Sequence, residues 1–113
     1  MANTFKLKTS GSIGTGSVTL YTVPSNTTTV LIGATLANTS NAAIGGSLLL
    51  DSDTTDTEIN QNVYIIKDAV IPAGSSLEVM AGNKIVLQTT DVVKAKSDAS
   101  GSIDSILSIM EIT

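Results

Sequence analysis

Residues 30–36 alternate in size along the chain, with Val30, Ile32, Ala34 and Leu36 standing between Leu31, Gly33, Thr35 and Ala37. A period of two places the larger set on one face of an extended strand, because successive strand side chains point to opposite sides. The threonines nearby fit this reading. Their β-branched carbons suit a pleated backbone and their hydroxyls tolerate water. Residues 18–23 read the same way, with Val18 and Leu20 on one side and Tyr21 and Val23 on the other. Pro24, Ser25 and Asn26 form a turn signal between the two runs, so a hairpin is expected there.

Comparable segments follow at short intervals: 4–8, 47–51, 62–66, 76–80, 84–88, 92–97 and 102–112. They are separated by Gly45-Gly46, Pro72-Ala73-Gly74, Gly82-Asn83, Thr90-Asp91 and the stretch 98–101. That punctuation predicts an all-β fold, a compact antiparallel β-sandwich of the jelly-roll or immunoglobulin-like kind with about eight strands. At 113 residues the chain is one domain by size. Residues 1–16 are expected to be a flexible N-terminal arm or an edge strand, and 17–113 the sandwich domain.

Segment 102–112 admits a second reading, since Ile103, Ile106, Leu107 and Met110 also match a helical face. A strand is favoured because Ile109 and Ile112 fall off that face and the rest of the chain is β. As a strand it is apolar on both sides, Leu107 and Ile109 against Ile106, Met110 and Ile112. Segment 62–66 is similar, with Val63 and Ile65 opposing Tyr64 and Ile66. A two-layer sandwich covers one face of each sheet, so such strands call for a further cover, either a loop or another molecule. The expected interface residues are therefore Ile106, Met110, Ile112, Tyr64 and Ile66, with Phe5 and Leu7 as anchors near the N-terminus.

The inventory for chemistry is thin. The chain has no His and no Cys, and its six basic residues are all lysine. Ser-His and Cys-His nucleophiles, histidine or thiolate metal ligation and disulfides are excluded by composition. No paired carboxylates are evident, no cofactor is implied, and the chain is not expected to be an enzyme. A net charge of −4 without arginine argues against nucleic-acid binding. The apolar windows 30–36 and 44–50 are too short to span a bilayer, so no membrane partner is expected, and the first residues do not form a secretory signal.

Two local motifs invite functional readings. Asp51, Asp53, Asp56 and Glu58 lie close together in DSDTTDTE and form a weak Ca²⁺ candidate. The spacing departs from a calcium loop, with Thr55 at the third ligand position and no glycine at the sixth, and a solvated acidic loop is the competing reading. The glycine-rich SGSIGTGS, 10–17, lacks the Gly-Lys-Ser/Thr ending of a phosphate loop and reads as a connection. Asn26-Thr27-Thr28 and Asn38-Thr39-Ser40 match the glycosylation sequon but read as chance without a secretory signal.

The stretches TLYTVPSNTTTVLIGATLANTS, IPAGSSLEVMAGNKIVLQTTDVVKAKS and SILSIMEIT carry a wider pattern. It comprises TxYTVP, an aliphatic strand ending in Asn-Thr, IPAG before a short strand, GxKIVL, and a last strand ending in EIT. Over 17–113 this resembles a small family of virion structural proteins of tailed bacteriophages, of the contractile-tailed cyanophage type, with a similar pattern in phage tail-associated modules. The resemblance implies a non-enzymatic β module in the virion, assembled in the host cytoplasm. Its partners would be the major capsid protein or neck and tail proteins, with the chain a homo-oligomer or bound to a lattice. Capsid decoration is the leading expectation, and a neck, tail or fibre module with receptor or glycan binding is the alternative.

Overall fold

The computed structural model describes residues 2–52, 61–80 and 83–113. Nine strands are assigned among them: β1 (Asn3–Ile13), β2 (Val18–Thr22), β3 (Thr28–Asn38), β4 (Ile44–Asp51), β5 (Asn62–Ile71), β6 (Ser76–Glu78), β7 (Ile85–Leu87), β8 (Val92–Ser97) and β9 (Ile103–Ile112). They form two antiparallel sheets. Sheet A runs β1-β9-β3-β6, with β7 also pairing β3, and sheet B runs β2-β8-β4-β5. The chain crosses from one sheet to the other at most connections, the order of a jelly roll, with β6 and β7 together filling one strand position.

The core lies between the sheets and is aliphatic. Leu31, Leu36, Leu48, Ile71, Leu87, Val93, Ile103, Leu107 and Ile109 are essentially inaccessible to water. Close approach at its centre explains one glycine. A Cβ on Gly46 would lie 3.0 Å from the Cδ1 atoms of both Ile103 and Ile71. Gly74, at φ +69°, supplies the left-handed residue of the turn after β5.

The segment at 103–112 is a strand, and its alternation is regular, with Leu107 and Ile109 buried and Ile106 exposed. Three other expectations are corrected. The 18–23 and 28–38 strands do not form a hairpin: β2 pairs β8 in sheet B, whereas β3 pairs β9, β6 and β7 in sheet A. Both strands carry buried side chains facing the core, so the turn at 24–27 carries the chain across the sandwich. Asn26 takes φ 54° there.

The other two corrections come from bulges, each of which inserts an unpaired residue and reverses the alternation beyond it. In β2 the register slips between Thr19 and Tyr21, so Val18 and Tyr21 pair with the inward Ala95 and Val93. In β3 it slips between Leu31 and Gly33. Leu31, Ala34 and Leu36 are buried while Val30 pairs with Met110 on the outer side, which breaks up the set Val30, Ile32, Ala34 and Leu36.

Candidate contact surface

Residues opposite one another in an antiparallel ladder share a face, so the registers define the outer side of sheet A. Phe5 opposes Met110, Met110 opposes Val30, and Val30 opposes Val86. These four apolar side chains make a continuous row across β1, β9, β3 and β7. Ile112 lies one row further, between Asn3 and Thr28, and Ile106 lies on the other side, between Thr9 and Thr35. Between Ile106 and Met110 runs a row of Leu7, Ser108 and Gly33. Phe5 is 72% exposed, Leu7 65%, Val86 59% and Ile106 45%.

β1 is the strand that departs furthest from ordinary patterning. Its apolar residues Phe5 and Leu7 face outward, while Lys6 and Lys8 take the side that faces sheet B. Strand register is specified by which face is buried, so such inverted polarity is stable where the outer face has its own cover. The sheet A strands hold no lysine other than these two, and the acids Glu78 and Asp104 sit at the far end of the outer face, opposite Thr35 and Ala37.

The inward lysines meet a buried polar network. Lys6 Nζ lies 2.8 Å from Glu111 Oε1. Tyr21 Oη donates to Glu111 Oε2 at 2.6 Å and lies 2.8 Å from Thr29 Oγ1. Since the single phenol proton goes to Glu111, the Thr29 hydroxyl donates to Tyr21. The Lys8 ammonium stands 5.8 Å from the Tyr21 ring centroid. This network joins β1, β3 and β9 of sheet A to β2 of sheet B. The hydrogen bonds from Lys6 and then Tyr21 hold the Glu111 carboxyl below its ordinary range. Burial, followed by the bond to Glu111, pushes the Tyr21 phenol up to about 12.

The outer side of sheet B is different. Tyr64 opposes Leu49, and the ammonium groups of Lys67 and Lys96 stand 5.3 and 5.7 Å from its ring centroid. Lys94 pairs with Asp51 at 3.4 Å. Tyr64 and the exposed Val70 lie at separate points along β5.

The expected interface residues therefore fall in three places. Phe5, Leu7, Ile106, Met110 and Ile112 share the outer face of sheet A, and Tyr64 is on the outer face of sheet B. Ile66 is not on Tyr64's side: the register of β5 shifts between them, and Ile66 pairs with the buried Leu48 and packs against the core. β5 also continues past Lys67 and Asp68, the latter at φ 49°, to Ile71. Val30 and Val86 join the sheet A face without having been singled out, because only the bulge in β3 reveals Val30. The Tyr21–Glu111–Lys6 network was also missed, although alternation from Leu107 and Ile109 already put Glu111 on the buried side.

Of the Ca²⁺ candidates, Asp53, Asp56 and Glu58 lie outside the described residues, and Asp51 is engaged by Lys94. Among the described residues no three carboxylates gather in one place. Asn38 is buried, and its side-chain amide donates to the carbonyls of Ala42 and Ile71 and accepts from Ser40, so it is not open to a glycan, whereas Asn26 is exposed. No helix among the described residues is long and apolar enough to cross a membrane, which says nothing of a β-barrel.

No protein-family model and no curated protein matches the chain. Two of the solved structures that resemble it show the range of the likeness. One is a chain from the disulfide-linked pili of Bacillus endospore appendages, with a TM-score of 0.55 and 11% identity over 99% of this chain and 87% of that one. The other is a chain of the T13 particle of infectious bursal disease virus, IBDV, with a TM-score of 0.43 and 9% identity over 98% of this chain and 39% of that one. The likeness to the pilus chain is one of fold. At its TM-score the viral likeness carries no further weight.

Proposed function

We propose that this protein is a non-enzymatic structural component of a tailed-phage virion, a decoration or cement protein on the outer surface of the head. The observation that carries the reading is the inverted strand β1. Phe5 joins the half-buried Met110 and Val30 and the exposed Val86 in one row, and Leu7 lies exposed beside it, while Lys6 and Lys8 take the side facing sheet B. A chain that places its apolar strand face outward is built for contact, and the resemblance of its motifs to those of phage virion proteins implies a setting in which contact is the task. Multiple copies suit this role, because each weak interface gains from its neighbours on a repeating surface. Without cysteine, such an assembly cannot be linked by disulfides as the pilus is.

A second reading, a neck-, tail- or fibre-associated module, draws on the resemblance of the same motifs to those of tail-associated modules. Mixing the purified protein with phage heads and, separately, with detached tails, followed by pelleting and imaging, decides between them. Saturable and regularly spaced density on heads is the expected result. Binding confined to tails transfers the protein to the second reading, and binding to neither particle overturns the virion assignment.

A further inference from the structure

We infer that the partner on the outer face of sheet A is a second copy of this chain, packed face to face about a two-fold axis. The inference rests on the reading of this face as a contact surface and names what covers it.

The relief of the face is self-complementary. The row Phe5–Met110–Val30–Val86 stands as a ridge of four apolar side chains. Two residues further along β9, about 7 Å away, Ser108 and Gly33 leave a trough walled by Leu7 and then by Ile106. A Cβ built on Gly33 meets nothing within 4 Å, so the trough is open at its centre. A two-fold interface must present knob and hole on one patch, so that residue i meets j and j meets i. Here the ridge of one copy enters the trough of the other, and the reverse, as inner faces of packed sheets interdigitate.

Charge and area agree. The acids Glu78 and Asp104 lie at one end of the face, and a two-fold axis midway between ridge and trough, parallel to both, sends those ends in opposite directions, so like charges do not meet. The strands β1, β9 and β3, with the three-residue β6 and β7 beside them, present roughly 600 Å². That lies within the range of about 600–1,000 Å² per partner of specific complexes. Edge-to-edge pairing through β1 is the competing route between copies, and the inward-pointing Lys6 and Lys8 discourage it.

Sedimentation of the purified chain from about 1 to about 100 µM tests the inference, since interfaces of this size reach micromolar affinity or better. A reversible monomer–dimer equilibrium is expected. Gly33→Gln fills the trough without disturbing the monomer and is expected to weaken the dimer about tenfold or more. Phe5→Ser, which removes part of the ridge from an exposed position, is expected to act in the same direction, and Tyr64→Ser on the other sheet to leave the dimer unchanged. A strictly monomeric wild type that still binds phage heads overturns the inference and leaves the proposed function standing. A dimer that binds no part of the particle does the opposite. A dimer indifferent to both Gly33→Gln and Phe5→Ser places the interface elsewhere and also overturns the inference.

Discussion

The two outer faces of the sandwich have had the same chance to meet water and have been built differently. Sheet B carries Lys94, Lys96 and Lys67 around Tyr64, with Asp51 paired to Lys94, so long charged side chains lie over its one exposed ring. Sheet A has two lysines in its strands, and both are turned away from the outer face towards Glu111 and Tyr21. Phe5, Leu7, Ile106 and Val86 are left on the surface. Individually such residues are unremarkable, since much of any protein surface is apolar. The row Phe5, Met110, Val30 and Val86 across four strands, on a sheet whose two strand lysines face inward, is what the proposed contact face rests on.

The contrast can be broken first at its foundation. Replacing a core residue that serves both sheets, Leu48→Ala, is expected to lower the unfolding free energy by about 2–5 kcal/mol in denaturant titration. Leu7→Ala on the outer face of sheet A is expected to stay within about 0.5 kcal/mol in the dilute monomer, because an exposed side chain has little burial to lose. If the two cost the same, Leu7 is a core residue and the face is not free.

The network under β1 comes next. Tyr21→Phe leaves Glu111 buried with one donor fewer and is expected to cost roughly 1–3 kcal/mol, measured the same way. The accompanying pH dependence has two limbs. Glu111 has a lowered pKa in the fold, so its contribution is present above its ordinary value of 4.5 and fades as pH falls through the lower folded value. Tyr21 has a raised pKa, so its contribution is complete below 10.0 and is lost as pH rises towards about 12. Thermal unfolding across pH is expected to show both declines. Glu111→Gln should remove the acid limb's Glu111 component, and Tyr21→Phe the alkaline limb's Tyr21 component. The smallest effect on association is expected on sheet B, where Tyr64→Ser should leave the dimer unchanged and cost about 1 kcal/mol of stability through its two lysine contacts.

Much of this architecture was legible in the sequence. Alternation in 102–112 separated Leu107 and Ile109 from Ile106, Met110 and Ile112 correctly, because β9 is central in its sheet and has no bulge of its own. Phe5 and Leu7 were visible as apolar residues in a short segment outside the main pattern. The register slips were not read. A bulge changes which residues share a face; Gly33 beside the slip in β3 is a glycine signal that went unused, and no such residue marks the slip between Tyr64 and Ile66, so Val30 was assigned to the wrong side and Ile66 was grouped with Tyr64. The supposed hairpin failed for a different reason. Pro24-Ser25-Asn26 announces a turn but not whether the next strand lies beside the last or across the core from it, a choice made by long-range packing.

Hydroxyl-radical footprinting of the assembled particle against the dilute free chain tests the central claim most directly, because both faces are read in one experiment. Phe5 and Met110 report on sheet A, Tyr64 on sheet B, and the buried Met80 serves as an internal reference. The account predicts strong protection of Phe5 and Met110 on assembly with Tyr64 less changed. Equal reactivity of Phe5 and Met110 in both states, with Tyr64 protected instead, would contradict it and make the lysine-rimmed face of sheet B the one that binds.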